Sequence, residues 1–270
     1  MPELPEVETT RRGLAPLVVA ARISRLTVRE PRLRWPIAPG LNRDVAGRAV
    51  KALNRRGKYL LLEIDDGCLV IHLGMSGSLR YLRQAEPIGT HDHFDIELVG
   101  GAVLRFNDPR RFGSLHFTLE PDSHPLLCDL GPEPLGAEFT GDYLTRLCRG
   151  RRTAIKQLLM NGHVVAGVGN IYANEALYRA GIHPARPAGR IAPQRLERLR
   201  EAIRAVLEDA LSAGGTTLRD FVGGDGRPGY FRQSLAVYER QGQPCRRCGH
   251  AIRRRVIGQR ASYYCPGCQR

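Results

Sequence analysis

Two groups of residues have the types and spacing to do chemistry. Cys245-x-x-Cys248 is followed, after sixteen residues, by Cys265-x-x-Cys268. Each close pair can bite one side of a tetrahedron, so the four thiolates match a site for one structural zinc ion. Cysteine fills every position, which leaves no open coordination site for a substrate and makes the metal a scaffold. Two disulfides are the competing reading, disfavoured by this spacing and by an odd total of seven cysteines. Between the pairs, on an expected β-hairpin, lie Arg253, Arg254, Arg255 and Arg260, either a solvated basic face or a grip on phosphates. Cys68, Cys128 and Cys148 sit among apolar residues and read as core.

The second group is Pro2-Glu3. A terminal amine has a pKa of about 8 against about 10.4 for lysine, so it is far better populated as the neutral nucleophile that imine formation needs. Removal of Met1 would expose the secondary amine of Pro2, with the Glu3 carboxyl beside it to give or take a proton. The residues alone leave a plainer alternative, a frayed end or a simple helix start.

Lys plus Arg number 41 against 27 Asp plus Glu, a formal charge of +14, which favours a polyanion over an acidic small molecule as partner. Nucleic acid comes first and an anionic membrane surface second. No apolar run approaches the roughly 18 residues that span a bilayer, and acids stand where a signal peptide carries bases. A soluble protein of a reducing, cytoplasmic compartment is expected.

Those residues need elements to position them. Residues 3–19 read as a helix with Leu4, Val7, Leu14 and Val18 on one side. Short strands follow between about 52 and 117 (KYLLLEID, CLVIHLGM, SLRYL, FDIELV, AVLRF, SLHF), with Asp66-Gly67 and Gly100-Gly101 as hairpin turns. The proline-crowded PDSHPLLCDLGPEPLG cannot continue a sheet and suggests a boundary near 132. Beyond it the period is helical, ending in a long helix over 193–212. Glycine-rich 214–230 reads as a mobile loop. Lys156 in TAIKQLLM is either a phosphate contact or a solvated side chain.

The segments PELPEVET, GKYLLLE, HLGMSGSLR, NDPRRFG, VGNIYANEALYRAGIHP and RASYYCPGCQ, in this order across nearly the whole chain, resemble the formamidopyrimidine-DNA glycosylase family. The resemblance implies an α+β multidomain fold. An N-terminal antiparallel β-sandwich flanked by helices (1–131) precedes a helix–two-turns–helix domain (132–235) that includes a lesion-recognition loop at about 214–230. A β-hairpin zinc finger (236–270) follows, and DNA lies in the cleft between the domains.

The implied activity is that of a bifunctional glycosylase and lyase of base-excision repair. It would excise 8-oxoguanine and formamidopyrimidines and nick the strand by β,δ-elimination. By the same resemblance Pro2 is the nucleophile, Glu3 the general acid, Lys58 the residue of β-elimination and Arg260 that of δ-elimination and phosphate contact. Met75, Arg110 and Phe112 match the trio that fills the gap left by an extruded nucleotide. His91, Arg151, Arg152 and Asn170 match contacts to the DNA backbone. Read without the family, Met75 and Phe112 are equally good core residues, and the GVGN turn before Asn170 is equally a tight loop.

Leu4 after Pro2-Glu3 fits the purine-lesion branch, whereas the related endonuclease VIII branch usually has glycine there. The implied partner is double-stranded DNA with an oxidised base or an abasic site, met by a monomer at the bacterial nucleoid, with no membrane involved. Two alternatives stay open from the sequence: a catalytically silent zinc protein that binds damaged DNA, and an enzyme acting on oxidised pyrimidines.

Overall fold

The computed structural model describes residues 2–214 and 234–270. Met1 and, apart from Gly214, the segment expected as a mobile loop lie outside the described residues. The chain divides into two compact units, the first running to Cys128 and the second comprising Asp129–Ser212 and the segment that ends at Arg270.

The first unit opens with α1 (Leu4–Val18). Its start is set by a reciprocal capping box in which the Glu6 carboxylate accepts from the Glu3 backbone N–H at 2.8 Å. Leu4, Val7, Leu14 and Val18 are buried at helical spacing. Eight strands follow: β1 (Ile23–Val28), then after the short α2 (Leu41–Val45), β2 (Val50–Arg56), β3 (Tyr59–Ile64), β4 (Gly67–His72), β5 (Ser78–Leu82), β6 (Asp92–Leu98), β7 (Val103–Asn107) and β8 (Ser114–Thr118). They form two antiparallel four-stranded sheets, ordered β1-β6-β7-β5 and β2-β3-β4-β8.

Both sheets contribute to one hydrophobic core, with Leu60, Leu62, Leu69 and Ile71 from one and Phe94, Ile96, Leu104 and Phe106 from the other. This is the β-sandwich, and helix α1 closes one flank of its core through Val7, Leu14 and Val18. The rings of Phe94 and Phe106 stack at 4.7 Å. On the β1-β6-β7 pairing the polar residues form a ladder, with Asp95 bound by Arg29 at 2.8 Å and by Arg105 at 2.9 Å. Strands β1 and β2 are not announced by the sequence pattern. β1 carries one charge and β2 three, and both have irregular burial, so neither shows strict alternation. The β3–β4 turn is Asp65-Asp66, one residue earlier than expected, with Asp66 in the left-handed region at φ 52°.

The second unit packs α3 (Gly141–Cys148), α4 (Ile155–Leu159), α5 (Asn170–Arg179) and α6 (Pro193–Ser212). The Thr140 hydroxyl caps α3 by accepting from Tyr143 N at 3.1 Å. Two successive turns, at 162–164 and 166–167, join α4 to α5, which is the helix–two-turns–helix arrangement. Helix α6 lies against α3 and α5 and buries Leu196, Leu199, Ile203, Val206 and Ala210 along one stripe. Strands β9 (Arg253–Ile257) and β10 (Arg260–Tyr264) pair as a hairpin through Gly258-Gln259, both at positive φ. Among the described residues no helix is long and apolar enough to cross a membrane.

The stacked pair at the sandwich centre gives a direct stability test. Phe106→Ala removes a fully buried ring and its stacking partner, and should cost about 3–5 kcal/mol by urea denaturation. A loss below about 1 kcal/mol would mean that the two sheets do not share this core.

Candidate functional site

In the first unit Pro2 is buried and Glu3 is almost fully enclosed, at 1% exposure. The Glu6 carboxylate holds the Glu3 N–H, so the peptide joining Pro2 to Glu3 is anchored to the first turn of α1. The nitrogen of Pro2 therefore sits on a fixed backbone rather than a frayed end. Helix α1 itself rests against β2, β3 and β5.

Lys58 is the second residue of the tight Gly57-Lys58 turn between β2 and β3, where Gly57 takes φ 56°. His72, at the end of β4, lies opposite Tyr59 with ring centroids 4.9 Å apart and accepts from Gly74 N at 3.0 Å. Burial, and then the positive charges of Lys58 and Arg34, push the His72 pKa down to about 4. This imidazole is thus neutral near pH 7 and stands in a patch of positive potential. Sequence reasoning did not single it out, although it opens the HLGMSG segment that contains Met75.

One buried carboxylate organises the remaining residues of this unit. Asp108, with no exposure, accepts from Ser76 Oγ at 2.9 Å, Gly113 N at 2.8 Å and Arg110 N at 3.3 Å. Its backbone N–H donates to the His91 carbonyl at 3.0 Å, and its own carbonyl is held by His93 Nε2 at 2.7 Å. Asp108 thereby ties together the turn of Met75, the loop of Arg110 and Phe112, and the chain entering β6 at His91. The two turns also touch: a Cβ at Gly74, itself at φ 67°, would lie 2.5 Å from the backbone of Phe112 and Gly113.

The Arg110 guanidinium stacks over the Phe112 ring at 4.9 Å, and Phe112 is 41% exposed. An exposed aromatic carrying a flat cation is unlike a core residue, and Met75 is half-buried on the turn alongside. His91 is exposed.

In the second unit Arg151 and Arg152 are exposed in the loop after α3, and Arg151 Nε donates to the Leu147 carbonyl at 2.7 Å. Asn170 is the first residue of α5. Gly169 before it offers no side-chain cap and the first turn holds no acid, so the positive end of this helix meets no carboxylate of its own turn.

Lys156 departs from both expected readings. It is 1% exposed, and its ammonium donates to the Ala261 carbonyl at 2.8 Å and to Ser262 Oγ at 2.6 Å. Asn174 of α5 accepts from Tyr263 N at 2.8 Å, and Glu175 accepts from the backbone N–H groups of Ala236, Val237 and Tyr238 at 2.8–2.9 Å. These three side chains bind the hairpin and the strand leading to it onto α4 and α5. Arg260 is exposed at the start of β10.

The four expected metal ligands converge, with the sulfurs of Cys245, Cys248, Cys265 and Cys268 all within 4.8 Å of one another. By geometry alone, a tetrahedral Zn–S site needs sulfurs about 3.8 Å apart, and Cys245–Cys268 stand at 3.8 Å and Cys248–Cys265 at 3.3 Å. Backbone N–H groups of Arg247 and Cys268 point at the sulfurs of Cys245 and Cys265, each at 3.4 Å, as donors to thiolates do. The donor set fits one structural zinc ion. Cys68 and Cys148 are buried as expected, but Cys128, where the first unit's leading segment ends, is exposed.

Three family models match the chain. They are described as the formamidopyrimidine-DNA glycosylase N-terminal domain over residues 1–115, the formamidopyrimidine-DNA glycosylase H2TH domain over 130–222, and a zinc finger found in FPG and IleRS over 242–270. A formamidopyrimidine-DNA glycosylase of Alkalilimnicola ehrlichii is 58% identical over 277 residues, covering all of both chains. The fold is similar to that of a Lactococcus lactis FPG mutant in complex with Fapy-dG containing DNA, at TM-score 0.93 and 32% identity over the full length of each chain. It is also similar to the MutM (FPG) protein of Thermus thermophilus, at TM-score 0.90 and 41% identity, with 99% and 98% of the two chains covered.

The depressed pKa of His72 has a measurable consequence. The folded state resists protonating this ring, so its contribution to stability is complete above about pH 6.5 and is lost as pH falls towards 4. His72→Gln cannot titrate and should lose less stability than the parent between pH 7 and pH 4.5, by on the order of 2 kcal/mol in urea unfolding. Equal pH dependence in the two proteins would show that this histidine is not held neutral.

Proposed function

Because the chain belongs to the formamidopyrimidine-DNA glycosylase family, we propose that its reaction runs through the secondary amine of Pro2 once Met1 has been removed. The protein is a base-excision repair enzyme, a DNA glycosylase with abasic-site lyase activity, and it carries one structural zinc. Its substrate is duplex DNA with an oxidised purine such as 8-oxoguanine or a formamidopyrimidine, or with an abasic site. It works as a monomer, in the cytoplasm at the nucleoid.

The Pro2 nitrogen bonds to C1′ of the extruded nucleotide as the C1′–N9 bond breaks, and the base leaves neutral, N9 taking the proton that the Pro2 nitrogen gives up. Glu3, as the acid, delivers a proton to the sugar ring oxygen as the C1′–O4′ bond opens, and a Pro2 iminium on the sugar results. Loss of a C2′ proton then expels the 3′ phosphate, and we assign Lys58 to this β-elimination. Arg260 holds phosphate during the second elimination, at the 5′ side; a guanidinium stays charged, so it acts as an anion partner rather than as an acid.

Met75, Arg110 and Phe112 fill the space left in the helix, the ring and its stacked cation replacing base stacking. His91, Arg151, Arg152 and Asn170 take backbone phosphates. Residues 1–131 supply the chemistry, 132–235 and 236–270 the grip on DNA. The lesion-recognition role of about 214–230 falls on residues outside those described.

The observation that supports this reading most is the enclosed Pro2-Glu3 pair on an anchored helix start. Borohydride reduction with a damaged duplex should give a covalent adduct whose peptide map ends at Pro2. Pro2→Gly, or a chain retaining Met1, should lose trapping and excision by at least about a hundredfold. Undiminished excision by either would sink the mechanism. For the metal, Cys248→Ser should weaken duplex affinity together with zinc content, whereas chelation that strips zinc and leaves affinity unchanged would remove the scaffold role.

A further inference from the structure

We infer that Arg190 completes, with Arg151 and Arg152, a phosphate-binding hollow in the second unit that takes a phosphodiester of the duplex. This rests on the reading of the protein as a duplex-DNA enzyme. The hollow is built by two loops zipped together through their backbones. Ile155 N donates to the Arg186 carbonyl at 2.8 Å, Ala188 N to the Thr153 carbonyl at 2.9 Å, and Gly189 N to the Arg151 carbonyl at 2.9 Å. The approach is close enough that a Cβ on Gly189 would lie 2.9 Å from Arg151 N and 3.1 Å from Gly150 N. Between the loops opens a space of about 480 Å³ lined by Gly150, Arg151, Arg152, Pro187, Gly189 and Arg190.

Among the described residues no carboxylate lines this space. Several other surface arginines find acids: Arg25 pairs with Glu97 at 3.0 Å, Arg179 with Asp209 at 2.8 Å and Arg200 with Glu197 at 2.6 Å. Arg152 and Arg190 make no ion pair among the described residues, and Arg151 spends one nitrogen on a carbonyl. A further cation stands close by, Arg186, whose Nε donates to the Arg190 carbonyl at 3.4 Å.

Such crowding is unfavourable for the free protein and is relieved only by an anion. Planar guanidinium forks match phosphate oxygens better than they match other partners. The hollow is open to solvent and two of its walls are bare glycine backbone, so it suits a phosphate on a passing chain rather than an enclosed small molecule.

The test uses the full-length, zinc-loaded protein and a duplex with a non-cleavable abasic analogue, titrated by fluorescence anisotropy between 50 and 200 mM KCl. One phosphate contact contributes about 0.9 to the slope of log affinity against log salt. Arg190→Ala should lower the slope by that amount, so that its affinity falls about threefold less than the parent's over this range. Arg190→Lys should retain most of the slope, and both variants should show the same change on undamaged duplex. Arg190 is exposed, and a urea midpoint equal to the parent's checks that each variant is folded.

A parental slope and affinity in Arg190→Ala would overturn the inference. Borohydride trapping separates this from the premise: the parent and Arg190→Ala at saturating concentration should trap equally, and failure of the parent to trap would count against Pro2 rather than against the hollow.

Discussion

Much of the first unit's surface depends on how Asp108 satisfies its charge. A carboxylate with no exposure must find donors within the protein, because the cost of burying it bare exceeds the stability of most domains. It finds them on turns far apart in sequence, at Ser76, Arg110 and Gly113, while its backbone is held by His91 and His93. The need to neutralise one buried group thus sets the relative positions of Met75, Arg110 and Phe112. Glycine at 74 and 113 is required for the same reason: a Cβ at Gly113 would lie 2.4 Å from the Phe106 ring, which would push the loop off the sandwich.

The Pro2 end of the unit is built on the same principle with different parts. Glu6 is nearly as buried as Glu3, and it spends an oxygen on the Glu3 N–H. The helix cap and the seating of Pro2, the proposed nucleophile, are one hydrogen-bonded unit. A long hydrophobic face then fixes α1 on the core, so that the position of Pro2 relative to β2 and β3 is inherited from ordinary packing.

What the sequence disclosed, it disclosed through local signals. Cysteine spacing is a local pattern and led directly to the four converging sulfurs; helical period marked α1 and α6, and alternation marked six of the eight sandwich strands. Family motifs pointed to Pro2, Lys58 and Arg260, which no local pattern would have selected. Apart from the one-residue shift of the β3–β4 turn and the exposure of Cys128, the misses are contacts between distant residues. Lys156 reads as a surface lysine because its acceptors lie 105 and 106 residues further on. Asp108 reads as a turn former before proline, and His72 as one more residue of a strand. Charged β1 and β2 look like loops until their neighbours in the sheets are known.

The buried ties of Lys156, Asn174 and Glu175 also bear on what holds the zinc finger in place. Detaching the hairpin would leave an ammonium, an amide and a carboxylate buried without their partners, a penalty of several kcal/mol beyond the loss of the metal. In this chain the finger therefore takes part of its hold from the helices beneath it rather than from the metal alone. Residues 242–270 by themselves would keep the four sulfurs but lose the α4 and α5 contacts that seat the start of β10, where Arg260 stands.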